Sequence, residues 1–144
     1  MAKFIYRLQG TLSLKEKLEE QKKMEYGHAI AKLESEKQRL LELEEEQNLC
    51  VDQFRTTVSK SINQLKVQQY NSYIKILKVR VKEQMKVIAV AEKNVEKKRT
   101  ELMYAVQERK KLEKLREKAF EEYLSEEKIA EQKAVDEIVS YKYN

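Results

Sequence analysis

The sequence predicts an all-α protein, a long antiparallel two-helix coiled-coil hairpin with a longer C-terminal helix. The 144 residues include no proline and only two glycines, so few positions favour a break in a helix. Apolar residues recur at seven-residue steps from Val67, a repeat that keeps one stripe facing a partner helix. Acidic and basic clusters of opposite sign also lie where a hairpin would bring them together. The seven-residue stripe that starts at Val67 comprises Val67, Ile74, Val81, Ile88, Val95 and Leu102.

The first helix is predicted over about residues 13–56. Its start is placed at Ser13, because Ser13 and Glu16 fit a capping box in which each side chain satisfies a free backbone N–H. Three- and four-residue spacing then marks the seam, the line of residues along which the two helices should contact. In helix 1 the seam reads Leu18, Tyr26, Ala29, Leu33, Leu40, Leu43, Cys50 and Phe54.

A turn is predicted over about residues 57–65, because the apolar rhythm changes after Phe54. Threonine, serine and asparagine are concentrated there, and such residues compete with helical hydrogen bonding. Asn71 is the fallback position for the turn. Helix 2 is predicted over about residues 66–140, and residues 1–144 as a single coiled-coil domain. Its seam weakens towards the end, where Arg109 and Arg116 take the positions held earlier by Val95 and Leu102.

The charge pattern favours the hairpin over one unbroken helix in a parallel dimer. The acidic run Glu42–Glu46 would lie opposite about residues 74–78 in a hairpin, close to Lys75, Lys78 and Arg80. A parallel dimer would instead stack that acidic run on its own copy, where like charges repel. The residues assigned to the seam across both helices are Leu33, Leu40, Leu43, Phe54, Val67, Ile74, Val81, Ile88, Val95 and Leu102.

Composition points away from enzymes and membrane-spanning proteins. Charged residues make up 38% of the chain, and no run approaches the roughly 18–20 apolar residues that span a bilayer. A two-helix rod has no cleft that excludes water around titratable groups. The lone His28 and the single Cys50 are interpreted as a seam-edge side chain and a buried apolar thiol. We therefore expect no catalytic residues, no metal site and no cofactor, and a cytoplasmic setting.

The middle of the chain is strongly basic. Residues 53–99 contain twelve lysines and arginines against three glutamates, a net charge of +9. One interpretation is a binding patch for nucleic acid, an anionic membrane or an acidic protein. The other is a solvated face that pairs with acidic residues elsewhere on the rod. Residues 97–99 alone cover nearly a full helical turn, which argues against a patch on one face, so no nucleic acid is expected.

Four segments together resemble the FliJ family, small coiled-coil proteins of the bacterial flagellar type III export apparatus. The opening residues 4–9 resemble the family's segment before its first helix. The pattern Tyr70-x-x-Tyr73-Ile74-x-x-Leu77 resembles the start of its second helix. Residues 112–115 and the later pattern of residues 131–137 resemble its C-terminal signature. The order and spacing of the segments carry the resemblance, because each alone is common in coiled coils.

The resemblance implies a non-enzymatic role like that of the central stalk of rotary ATPases. Its implied partners are the hexameric flagellar export ATPase, an export gate membrane protein and export chaperones. It implies a cytoplasmic protein at the flagellar base, peripheral on the inner membrane through its partners, and a role in motility and chemotaxis. By resemblance, Phe4, Leu8, Gln132, Asp136 and Glu137 would face the ATPase ring. Tyr70, Tyr73 and Leu77 would face the gate or a chaperone.

Two other functions remain open from sequence. A homodimeric structural coiled coil would pair the acidic and basic runs between chains. A basic coiled coil would bind nucleic acid or an anionic membrane, with Tyr70 and Tyr73 available to stack on bases.

Overall fold

The computed structural model describes residues 3–61 and 63–143 and contains two long α-helices. Helix α1 spans Gln9–Lys60, 52 residues, and helix α2 spans Gln64–Tyr143, 80 residues. No strand occurs in these described ranges. The predicted all-α hairpin with a longer C-terminal helix is confirmed.

Helix α1 begins four residues before the predicted start. The Gln9 amide donates to the Tyr6 carbonyl at 3.1 Å, and the Leu12 amide donates to the Leu8 carbonyl at 2.9 Å. Leu12 is 1% exposed, so its burial stabilises a first turn that contains the poor helix former Gly10. The predicted capping box at Ser13 therefore lies inside the helix, and tertiary packing overrides the local signal.

The hydroxyl-rich segment at the end of α1 does not break the helix. The Thr56 hydroxyl donates to the Asp52 carbonyl at 3.0 Å, and the Thr57 hydroxyl donates to the Gln53 carbonyl at 2.8 Å. Hydroxyls that bond to a carbonyl four residues back are compatible with a helix. Helix α1 consequently continues through the first part of the predicted turn and ends at Lys60.

The reversal is confined to the residues between Lys60 and Gln64. Asn63 caps α2, because its side-chain oxygen accepts a hydrogen bond from the Leu65 amide at 3.0 Å. Ile62, which falls within the predicted turn, lies outside the described residues. The fallback turn at Asn71 is wrong, since Asn71 is inside α2.

Replacing the cap, Asn63→Ala, should destabilise the hairpin by about 1 kcal/mol, because the Leu65 amide loses its acceptor. The melting temperature, measured by circular dichroism, should fall by about 2–4 °C. Asn63→Asp is the matched control, since it keeps an acceptor oxygen and should melt close to the native chain. Equal melting temperatures for the alanine and aspartate variants would contradict the capping role.

Contacts divide the chain into two units. Unit 1 combines the residues up to Lys23 with those from Glu101 onward, and unit 2 is Met24–Thr100. In each unit the pairing is antiparallel: as residue numbers rise along the N-terminal segment and α1, the residue numbers of their contact partners on α2 fall. The pairs in unit 2 are Phe54–Tyr70, Glu46–Tyr73, Glu36–Gln84 and Glu25–Lys98. The pairs in unit 1 are Phe4–Phe120, Tyr6–Leu112, Glu19–Arg109 and Lys22–Glu101.

The most deeply buried residues of α2 belong to a second seven-residue series, offset by three from the Val67 stripe. Leu77 is 0% exposed, Ala91 7% and Ala105 2%. The predicted stripe, from Val67 to Leu102, is half-buried throughout. In α1 the seam prediction Leu43 is buried, while Leu33, Leu40 and Phe54 are half-buried. In a coiled coil of two helices each seam side chain is covered by one partner helix only, so most seam side chains remain partly exposed to solvent.

Candidate functional site

In unit 1 the N-terminal segment folds against α2 through an aromatic cluster. The Phe4 ring lies 5.1 Å from the Phe120 ring and 5.4 Å from the Tyr123 ring, measured between centroids. The Tyr6 hydroxyl donates to the Leu112 carbonyl at 3.0 Å. Edge and tilted ring pairs of this kind add about 0.5–1.5 kcal/mol beyond their area burial. The N-terminal segment is therefore fixed to α2 well before that helix ends.

A shallow groove of about 440 Å³ lies beside this cluster and includes two of the sequence-predicted site residues, Phe4 and Leu8. Phe4 is half-buried and Leu8 is 37% exposed. On the α2 side the groove is lined by Glu122 and Glu126. On the side of the N-terminal segment Lys3 and Arg7 line it as well, so the groove offers apolar surface beside both acidic and basic side chains.

Beyond this groove, residues 128–143 are exposed at every position and form what we call the C-terminal extension. Three residues predicted to face the ATPase, Gln132, Asp136 and Glu137, lie on it. The Gln132 amide donates to the Asp136 carboxylate at 3.2 Å. Ile138 is 67% exposed and Tyr141 is 90% exposed. A helix end with this much uncovered apolar surface has the character of an interaction segment.

The seam of unit 1 contains a buried polar layer at Arg109, where the sequence predicted that the seam weakens. Glu19 is 7% exposed and accepts a hydrogen bond from the Arg109 guanidinium. Arg109 also pairs with Glu113 at 2.8 Å. Bonds to Glu113 and then to Glu19 raise the pKa of Arg109 above its ordinary value. A paired charge inside a coiled-coil seam specifies register, because a shifted register would leave that charge unpaired.

Glu19 was missed because a carboxylate is not expected at a seam position. The signal was available in the spacing, since Glu19 lies seven residues after the buried Leu12 and seven before the seam residue Tyr26. A charged residue on an otherwise apolar repeat indicates a polar layer when the facing helix offers the opposite charge at the same level.

In unit 2, the residues predicted to face the gate or a chaperone divide into buried and exposed ones. Leu77 is completely buried, so it belongs to the seam and offers no surface to a partner. Tyr70 is half-buried, with its ring 5.8 Å from the Phe54 ring. Tyr73 is 39% exposed and its hydroxyl donates to Glu46. That bond, followed by desolvation, raises the pKa of Tyr73.

A second groove in unit 2 was not predicted from sequence. It has a volume of about 450 Å³ and lies where the seam carries alanine on both helices, Ala29 and Ala91. Both alanines are buried, at 6% and 7% exposed. Small side chains at facing seam positions leave space that leucine would fill. The rim of the groove is formed by Lys32, Lys86, Val87, Val90 and Asn94.

The two remaining polar candidates are His28, predicted at the edge of the seam, and Cys50, predicted as a buried apolar thiol. His28 is exposed. Cys50 is 4% exposed, and burial together with the nearby Glu46 raises the pKa of its thiol. Among the residues that the structure describes, no cluster of histidine, cysteine or carboxylate side chains could hold a metal ion. Within the same residues, no helix has the length and apolarity to cross a membrane.

Comparison with known proteins gives three concordant matches. A family model described as Flagellar FliJ protein matches residues 4–144. The Flagellar FliJ protein of Bacillus subtilis (strain 168) is 26% identical over 133 residues, covering 92% of this chain and 90% of that protein. A solved structure of a candidate YscO homologue, CT670, from Chlamydia trachomatis gives a TM-score of 0.70. It is 22% identical and the match covers 98% of this chain and 96% of that one, a likeness that shows the fold alone.

Proposed function

The chain belongs to the Flagellar FliJ protein family, and from this membership we propose that it is a non-enzymatic component of the flagellar type III protein export apparatus. In this proposal it acts as a central-stalk-like coiled coil. The C-terminal extension engages the centre of the hexameric export ATPase, and the rest of the hairpin reaches towards the export gate. Its association with the membrane is peripheral, through these partners on the cytoplasmic face.

The observation that carries the proposal is the end of α2 in unit 1. Residues 128–143 are exposed at every position, although Ile138 and Tyr141 are large apolar side chains. The segment Glu117–Glu137 carries eight acidic against three basic residues, a net charge of −5. Five of these eight acids lie before residue 128, and residues 128–143 themselves carry three acidic and three basic residues. The acidic end of α2 taken as a whole, with the extension as its exposed tip, suits a basic sleeve, in which long-range attraction guides the helix without locking it in one position.

The same proposal assigns gate or chaperone contact to the α2 surface around Tyr73 in unit 2. Tyr73 offers an accessible ring and, because Glu46 holds its hydroxyl, a fixed orientation. Aromatic side chains of this kind are enriched at protein interfaces. Leu77 is excluded from the contact because the seam covers it, and Tyr70 contributes only its uncovered edge.

The proposal predicts that the purified chain raises the ATP hydrolysis rate of the purified flagellar export ATPase from the same organism. The chain alone should show no hydrolysis above buffer. Stimulation should weaken as salt rises from about 50 to about 500 mM, because the screening length shortens from about 14 to about 4 Å. A binding assay at each salt concentration separates lost contact from inhibition of the enzyme. An ATPase rate that is unchanged by the chain at low salt, with no complex detected, would contradict the proposal.

A further inference from the structure

We propose that the α2 part of unit 2 lies flat on an anionic lipid bilayer, through an exposed apolar stripe that is bordered by lysines. This goes beyond membrane association through partners, because it gives the chain a lipid contact of its own. The four side chains of the stripe are between 42% exposed, at Val87, and 67% exposed, at Val90. The stripe consists of Ile76, Val79, Val87 and Val90.

The spacing of these four residues places them on one side of α2. At 3.6 residues per turn they fall within an arc of about 80°, and the middle of that arc lies roughly a third of a turn from Leu77. Leu77 is completely buried in the seam, so it marks the side of α2 that faces α1. A flat surface can therefore touch the stripe while α1 stays further from that surface.

Basic side chains border the stripe on both sides. Residues 75–93 carry six basic and two acidic residues, and four of the basic ones share the side of α2 next to Val79. These four are Lys75, Lys82, Lys86 and Lys93, and all are exposed. None of them forms an ion pair among the described residues. Arg80 and the α1 residue Lys32 lie on the opposite side of the stripe. A helix with an apolar stripe between cations lies in the headgroup region of an anionic bilayer.

The charges of the two helices favour a flat anionic surface over an acidic helix as the occupant. In unit 2, residues 24–52 carry eight acidic and three basic residues, a net charge of −5, while residues 64–100 carry ten basic and three acidic residues, a net charge of +7. An acidic helix in the groove beside Ala29 would lie against the acidic α1 as well as α2, whereas a bilayer touches the basic helix alone. Glu83 is the one acid within the stripe, and it keeps α2 at the level of the headgroups because a carboxylate is costly in hydrocarbon.

Vesicle flotation tests the contact on the full chain. At about 50 mM salt the chain should float with vesicles of phosphatidylglycerol and phosphatidylcholine. Its partition coefficient should be at least about tenfold lower with phosphatidylcholine alone and at about 500 mM salt. Lys82→Glu/Lys86→Glu should also lower it at least about tenfold. Lys37→Glu/Arg55→Glu makes the same charge change on exposed positions of α1 and should lower it no more than about threefold, because these side chains lie further from the bilayer. Both variants should remain helical by circular dichroism.

Tryptophan fluorescence reports which face touches the lipid. The native chain contains no tryptophan, so Val90→Trp places a single reporter on the stripe. Its emission should shift to shorter wavelength on anionic vesicles and be quenched by brominated lipid, because the stripe enters the headgroup region. Leu41→Trp, at a position of α1 that is 52% exposed, should show neither change. Val79→Ser/Val90→Ser keeps every lysine and should lower the partition coefficient at least about fivefold, because apolar contact is lost.

Three results would overturn the proposal. The first is a chain that does not float with anionic vesicles at about 50 mM salt. The second is flotation without any change in the Val90→Trp emission, and the third is equal partition of the serine variant and the native chain. If the chain ignores vesicles but binds a glutamate-rich helical peptide, the face belongs to a protein partner. None of these assays contains the ATPase, so failure of the proposed function leaves their outcomes unaffected.

Discussion

Leu77→Asp is expected to destabilise unit 2 strongly. Leu77 is 0% exposed in the seam, and its replacement removes about 1.5–3 kcal/mol of apolar burial. The new carboxylate would also be buried without a partner, which adds a penalty of several kcal/mol. Together these losses should lower the melting temperature by about 10–20 °C, measured by circular dichroism.

Val79→Asp is the matched control for this prediction. Val79 lies two residues further along the same helix and is 54% exposed, so the same carboxylate should stay hydrated there. Its effect should remain within about 0.5 kcal/mol, as for most surface substitutions. Hydrogen exchange should show protection lost first in unit 2 of the Leu77 variant. If the two variants have the same melting temperature, Leu77 is not a seam residue and is again a candidate for contact with a partner.

The number of helices and the antiparallel hairpin were predictable because both depend on strong signals. The seven-residue stripe from Val67 requires a partner helix, and the last residue of the run Glu42–Glu46 contacts α2 close to the predicted level. The pairing of that run with Lys75, Lys78 and Arg80 stays a prediction. Glu46 bonds to Tyr73, just before the predicted range 74–78. The helix ends were less predictable. Ser13 is a good local cap, but burial of Leu12 carries the helix past it.

The second seam series was not identified from sequence because its members do not look alike. It contains an aromatic residue, two leucines, two alanines and two polar or charged residues, and only the structure reveals that they share one line. The series comprises Tyr70, Leu77, Gln84, Ala91, Lys98, Ala105 and Leu112. Its polar members are accommodated by cross-helix bonds, such as Gln84 to Glu36 at 2.6 Å. Apolar periodicity alone cannot detect such a line, because pairing between helices satisfies the polar residues.

The candidate site, like the fold, was predictable from the sequence only in part. The C-terminal extension was anticipated, because the weakened seam near Arg109 and the signature at residues 131–137 both pointed to the end of α2. Arg109, however, marks a polar layer with Glu19 rather than the end of helix pairing. Pairing continues to the Phe4 cluster with Phe120 and Tyr123. The groove of unit 2 beside Ala29 and Ala91 could not be predicted, since alanine at a seam position is equally compatible with closer helices.

Removal of the C-terminal extension should abolish stimulation of the export ATPase while leaving the hairpin folded. The cut belongs after Glu127, because every aromatic contact of Phe4 with Phe120 and Tyr123 is then retained. The cut removes residues 128–144, and those of them that the structure describes, 128–143, are exposed throughout, so the melting temperature should change by no more than a few degrees. The ATPase rate with the shortened chain should match the rate of the enzyme alone.

Charge reversal within the full-length chain separates the role of the acidic residues from that of helix length. Asp136→Lys/Glu137→Lys should weaken the affinity for the ATPase at least about tenfold, because attraction to a basic sleeve becomes repulsion. Glu34→Lys/Asp52→Lys makes the same change in net charge on exposed positions of α1 and should bind nearly as well as the native chain. Equal losses in both variants would mean that bulk charge, not the extension, controls binding. Full stimulation by the shortened chain would place the ATPase contact elsewhere on the hairpin.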